Sequence, residues 1–169
     1  IHTRLDRCGV EPGRAALELA RAIGKAGGLR FAGLTAYEGP ILDADGIAAG
    51  PDDLIQRVLD TRDMIEKDGL EVPVVSLGST YDYEVAGATR GVTEVPAGSY
   101  ALMDHKYSGH RTQFVPAATV MTTVISRQDA GIAIVDCGQK AISTDTGLAA
   151  VNGIPGAKVT RMSAEHGFV

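Results

Sequence analysis

The first hundred residues alternate short apolar runs with stretches of helical period, and no other feature narrows the fold so far. Ile1 to Leu5 reads as a short strand. Glu11-Pro12-Gly13 opens a helix, with proline near the first turn, where its missing N–H is tolerated. Ala16, Leu19, Ala20 and Ile23 form that helix's apolar stripe, and Gly27-Gly28 stop it. Leu29 to Tyr37 is the next predicted strand, followed by a loop from Gly39 to Gly50 carrying Asp43 and Asp45. Pro51-Asp52-Asp53 starts a second helix with acids where the helix dipole favours them. Leu54, Val58 and Ile65 share one face of it. Val72 to Ser76 is almost wholly apolar, as a strand buried on both faces should be. A Gly78-Ser79-Thr80 turn comes next, and a further strand is predicted near Val92 to Val95.

Such alternation implies parallel βαβ units with right-handed crossovers, in a doubly wound sheet or a barrel segment. From Gln113 the pattern changes to β-rich runs, Ala118 to Ser126 and Gly131 to Asp136, separated by Gly and Asp turns. Val159 to Val169 reads as a further strand and turn. The expected fold class is therefore α/β, the carboxyl-terminal half of a (β/α)8 TIM-type barrel, followed by the start of an antiparallel β domain. The expected boundaries are 1–112 for the half-barrel and 113–169 for the β domain. A whole barrel of this kind needs about 250 residues. With 169 residues and an opening Ile, an internal fragment of a longer protein is expected.

Composition excludes several classes. The net charge is −5 and no basic cluster exists, which argues against a nucleic-acid surface. No apolar run approaches the ~18 residues of a membrane span, and no signal-peptide pattern opens the chain. Cys8 and Cys137 are too few for a disulfide framework and lack metal spacing. A cytoplasmic protein is expected.

Candidate chemistry gathers where the predicted strands end: Arg7-Cys8-Gly9, Tyr37-Glu38-Gly39, Gly78-Ser79-Thr80 and Gly98-Ser99-Tyr100. In α/β barrels the carboxyl-terminal rim is where active sites are built. Glycines followed by hydroxyl residues expose backbone N–H groups suited to a phosphate, although such turns also occur as plain turns.

The phrases RCGV-EPG, GLTAYEG, VVSLGST, TEVPAGSYALMD, TTVISRQDAGIAIVDCGQKAISTD and SAEHG, in that order, resemble the D-threonine aldolase and D-serine dehydratase family. These are pyridoxal-phosphate enzymes with an alanine-racemase-like barrel and a following β domain. The resemblance implies that Arg7 lies beside the cofactor's phenolic oxygen; a salt-bridged surface arginine is the plainer alternative. It implies that Tyr37 packs on the pyridine ring or reaches toward the phosphate, against an ordinary barrel tyrosine. Gly78, Ser79, Thr80, Gly98 and Ser99 would hold the phosphate. Tyr100 would join them, or sit in a strand as a core residue.

The resemblance also implies what is supplied elsewhere. None of the five lysines, Lys25, Lys67, Lys106, Lys140 and Lys158, matches the family's cofactor-binding lysine. The catalytic residues are accordingly left unassigned. A divalent metal, manganese or zinc, is implied through a His-x-Cys or His-x-Asp pair that this chain lacks; His105 and His110 have poor chelating spacing. Lys140 is expected in a structural or partner-subunit contact, and His166 in core or turn packing.

Some positions depart from the family. Leu77 and Tyr81 are bulky for its phosphate turn, and Pro40 to Asp43 holds no histidine where D-threonine aldolases commonly carry one. Asp43 is a substitute or a solvated loop acid. Pro96 stands where alanine racemases carry the arginine that faces the pyridine nitrogen, which argues against racemase chemistry. The expected function is a lyase acting on D-3-hydroxy amino acids by retro-aldol cleavage to glycine and an aldehyde. The alternatives are D-serine dehydration or a pyridoxal-phosphate carrier without turnover. A homodimer is expected for the full-length protein, and the fragment alone is expected to be inactive.

Overall fold

A computed structural model describes residues 1–3, 6–37, 53–145 and 147–169. The expectations for Leu5, Glu38-Gly39, the loop with Asp43 and Asp45, and Pro51-Asp52 lie outside them. The chain divides into two compact units, Ile1–Tyr100 and Ala101–Val169.

In the first unit, helix α1 (Arg14–Lys25) precedes strand β1 (Gly33–Ala36), and helix α2 (Leu54–Lys67) precedes strand β2 (Val74–Leu77). The strands pair in parallel, with Gly33 opposite Val74 and Ala36 opposite Leu77. Two further segments extend this sheet. Ile1 N donates to Thr35 O at 2.7 Å and the Thr3 hydroxyl to Tyr37 O at 2.9 Å, so residues 1–3 ascend beside β1. On the other side, Leu77 N donates to Glu94 O at 3.0 Å, and Ser76 and Glu94 form a parallel bridge. The expected strand near Val92 to Val95 is thus present as a single ladder contact rather than a full strand.

The core lies between the sheet and the helices. Leu34, Ala36, Val75 and Leu77 meet Ala20, Val58, Leu59 and Ile65 in one cluster. Val58, Ile65, Val75 and Leu77 are wholly buried, each contributing about 1.5–3 kcal/mol by leaving water. Helix α1 approaches through Ala16 and Ala20. Leu19 of the predicted stripe is instead 46% exposed, while Leu17 packs against the core. Thr61 is buried yet satisfied: its hydroxyl donates to Arg57 O and accepts from Gly13 N, both at 2.7 Å, which joins α2 to the start of α1. Arg21 and Asp68 tie the far ends of those helices by a two-pronged ion pair, and the guanidinium holds Asp68 below the usual carboxylate range.

Helix α3 (Tyr83–Ala88) follows β2, then a 3-10 turn at Ser99–Ala101 and helix α4 (His105–Ser108). Tyr100 therefore lies in a helical turn, not in a strand.

The second unit holds β3 (Val124–Asp129), β4 (Ile132–Val135), β5 (Arg161–Met162) and β6 (Gly167–Phe168), with order β3-β4-β6-β5 and every pairing antiparallel. The expected change to antiparallel β structure is present, though residues 118–123 carry no strand and Met121 is fully exposed. Asp136 pins the entry to β3: its carboxylate accepts from Thr123 N and the Thr122 hydroxyl, both at 2.7 Å. Those bonds, the backbone one foremost, lower the Asp136 pKa. The resulting stabilisation is present above the ordinary carboxylate value near ~3.9 and is lost as pH falls below it through the folded value. Asp136→Asn should therefore flatten the acid limb of the stability curve, measured as urea midpoints between about pH 2 and pH 6; an unchanged limb would count against this role.

Candidate functional site

Because the four segments of the first unit run in parallel, their carboxyl ends share one edge of the sheet. Arg7 follows residues 1–3, Tyr37 follows β1, Gly78 follows β2, and Gly98 follows the segment paired to β2. The pairing of Ala36 with Leu77 makes Tyr37 and Gly78 the next residues along neighbouring strands.

The described contacts bring the candidates together in two groups. The Arg7 guanidinium lies 5.7 Å from the centre of the Tyr37 ring, within the range of a cation–π contact. Arg7 is exposed and Tyr37 half-buried, with the Tyr37 carbonyl bonded to Thr3. In the second group, Tyr100 N donates to the Thr80 hydroxyl at 3.1 Å and joins the two glycine turns directly. Thr80 is buried, whereas Gly98, Ser99 and Tyr100 are exposed.

Gly78 cannot be replaced freely. Its φ is +95°, and a β-carbon there would meet the Ala86 methyl at 2.6 Å. The turn folds back onto α3 at a distance only glycine allows.

Ser79 is engaged in a way its sequence position did not disclose. Its backbone N–H and its hydroxyl both donate to Asp82 Oδ1, at 2.6 and 2.7 Å, and its hydroxyl oxygen accepts from Tyr81 N at 3.1 Å. The Asp82 carboxylate thus occupies the donors that a phosphate would use. Aspartate three residues after a turn serine is a common local pattern, and that spacing is the signal by which Asp82 could have been found. By contrast, the N–H groups of Gly98 and Ser99 and the Ser99 hydroxyl bond to no other described residue. The donor set therefore suits an anion best at the second turn, with a cation at Arg7 on the same edge. Ser79 fits such a role only if Asp82 yields.

A second polar pair lies further down the same strands. The Ser76 hydroxyl donates to Glu94 Oε1 at 2.7 Å. Among the described residues no three His, Cys, Asp or Glu side chains gather as metal ligands, and no helix is long and apolar enough to cross a membrane. In the second unit Lys140 pairs with Glu165. His166 is exposed, in a turn closed by its backbone bonds to Ser163.

The chain is similar to several known proteins. Residues 117–169 match the family model described as a putative serine dehydratase domain. A 3-hydroxy-D-aspartate aldolase of Paracoccus denitrificans is 35% identical over 175 residues, covering 96% of this chain and 45% of the relative. Along most of its length the chain is similar to members of the D-threonine aldolase and D-serine dehydratase-like family. Within that family, a D-threo-3-hydroxyaspartate dehydratase of a Delftia species is 35% identical over 140 residues, covering 78% of this chain and 37% of the relative. The crystal structure of a D-threonine aldolase from Filomicrobium marinum superposes with a TM-score of 0.78 at 34% identity, covering 96% of this chain and 46% of that one. The chain spans about half the length of the curated relatives it matches.

Proposed function

We propose that this chain supplies the non-covalent side of a pyridoxal-phosphate site in a lyase that cleaves D-3-hydroxy amino acids to glycine and an aldehyde. The observation that carries the reading is the convergence of Arg7, Tyr37, Thr80, Ser99 and Tyr100 on one edge of the parallel sheet. The likeness to a D-threonine aldolase along 96% of the chain supports it. The sheet is read as part of an alanine-racemase-like barrel, with the half-barrel over 1–112 and the β domain over 113–169. The cofactor, when bound, supplies an electron sink for breaking a bond beside the amino-bearing carbon.

The residues of the chain bind and orient. The N–H groups of Gly98 and Ser99, with the Ser99 hydroxyl, would hold the phosphate, and Gly78 and Thr80 would shape the wall beside them. Ser79 would contribute when Asp82 turns aside. The Arg7 guanidinium would hold the phenolic oxygen in its anionic form, where a fixed cation is most effective. Tyr37 stacks with Arg7 and would limit how far that cation can swing, while Tyr100 anchors the second turn to Thr80. The divalent metal, the cofactor lysine and the second subunit of a homodimer belong to the full-length protein in this reading.

A second reading is dehydration to a keto acid and ammonia, favoured by the similarity to the Delftia dehydratase. Both reactions need the same cofactor contacts. The test uses full-length protein. Cofactor absorbance should become fixed by borohydride, and Arg7→Ala should weaken cofactor binding roughly ten- to a hundredfold, the worth of one charge-assisted hydrogen bond. Cofactor binding unchanged in Arg7→Ala would remove Arg7 from the site. Product analysis with D-threonine and D-serine, with manganese or zinc, then separates glycine release from ammonia release.

A further inference from the structure

The loop that carries Arg7 is fastened at its base by one histidine. His2 Nδ1 lies 2.6 Å from Glu11 Oε1, and His2 Nε2 lies 3.2 Å from Asp6 Oδ1. The two carboxylates stand at either end of the Asp6–Glu11 segment, so the imidazole bridges its beginning and its end. The backbone repeats the closure: His2 N donates to Val10 O at 2.7 Å, and Asp6 N to Thr3 O at 3.1 Å. The fold-back is tight enough that a β-carbon on Gly9 would lie 2.7 Å from His2 N. Asp6 itself adopts a left-handed backbone, φ +48°, a conformation that needs holding in a non-glycine residue.

An imidazole has one N–H when neutral and two when protonated. Carboxylates at ordinary pH accept only, so both bonds form together only in the imidazolium. We propose that His2 is a positioning residue for Arg7, clamping the Asp6–Glu11 loop when its ring is doubly protonated and releasing the Asp6 or the Glu11 end when the ring is neutral. Among the described residues the charged groups facing the ring are Asp6 and Glu11; Arg7 turns to Tyr37, and Arg14 is paired with Glu18. The Glu11 and Asp6 hydrogen bonds raise the His2 pKa in that order of importance. The clamp is therefore complete below about pH 6.5, the ordinary histidine value, and is lost as pH rises through the higher folded value. The consequence for the cofactor rests on the assignment of Arg7 made above; the clamp does not.

The test follows the full-length protein without added cofactor by NMR and amide exchange. The His2 ring should titrate above its ordinary value, Glu11→Gln should bring it down, and exchange at residues 6–10, corrected for intrinsic rates, should accelerate over the same pH interval. A ring titrating at its ordinary value, or loop exchange that ignores it, overturns the clamp. Pyridoxal-phosphate dissociation constants are then compared between wild type and His2→Gln at each pH, so that other titrations cancel. Wild type should bind roughly threefold tighter at low pH, as two exposed charge-assisted bonds allow, and the ratio should approach one at high pH. Glu11→Gln should show the same loss if His2→Gln folds poorly. A flat ratio while Arg7→Ala still weakens binding overturns the positioning role. If Arg7→Ala also has no effect, the failure lies in the assignment of Arg7 to the cofactor.

Discussion

Gly33→Ala should cost the first unit its parallel sheet. A β-carbon on Gly33 would sit 2.0 Å from the Val74 carbonyl oxygen and 2.7 Å from its carbon, on a backbone with φ +146°. The obstruction is backbone, and it belongs to the residue paired with Gly33 in the β1–β2 register. No side chain can turn aside to relieve it. The strands would have to separate, and the buried faces of Leu34, Val75 and Leu77 would open with them. A loss above ~3 kcal/mol is expected from overpacking combined with a strained backbone. Gly28→Ala is the control, because its φ is also positive (+83°) but nothing lies within 4 Å of the added carbon. That variant should lose only about 1 kcal/mol. Urea unfolding of both variants decides the matter; equal midpoints would show that the close approach at Val74 does not limit the fold.

Leu77→Ala should lose about 2–5 kcal/mol, the range for truncating a buried leucine. Leu77 is wholly buried, and it is the last residue of β2, immediately before the Gly78 turn. The cavity would therefore open beneath the turn as well as within the core. Exchange of the Tyr100 amide, bonded to Thr80, should accelerate more than exchange in α1. Leu19→Ala, at a position 46% exposed, should cost well under half as much. Comparable losses at the two positions would mean that the sequence's apolar stripe describes α1 better than the observed packing.

That comparison marks where sequence pattern stops informing the fold. The periodicity of α2 was legible because Leu54, Val58 and Ile65 all face the sheet. In α1 the close approach of helix to core is made by Ala16 and Ala20 of the predicted stripe, but the leucine that packs beside them is Leu17 rather than Leu19, a choice the pattern alone does not make. The strand predicted from Leu29 begins only at Gly33, where Val74 offers a partner; Leu29 is 63% exposed. Pairing, which depends on a segment far along the chain, fixes where a strand begins, and composition does not carry it.

The site was legible as positions and not as relations. Glycine–hydroxyl turns and an arginine after a strand are visible in one dimension. The stacking of Arg7 on Tyr37 and the bond from Tyr100 to Thr80 span 30 and 20 residues respectively, and only the parallel register makes them neighbours. The Asp82 bonds are local, yet a reading directed at phosphate donors passes over an acid beside them. His2, under the Arg7 loop, has no distinguishing pattern either: its bonds to Asp6 and Glu11 depend on the fold-back of the chain, and a lone histidine near a predicted strand does not signal them.

Asp82 also bears on how this edge would respond to inhibitors. By accepting both donors of Ser79, it gives the Gly78–Thr80 turn its shape from within the chain, so no ligand is needed to order it. Little conformational entropy then remains to be lost when a ligand arrives. What opposes an incoming anion is the negative charge already in place. A ligand that presents a neutral or cationic group to Asp82 could leave those bonds in place, whereas an anionic group there would have to displace the carboxylate from Ser79.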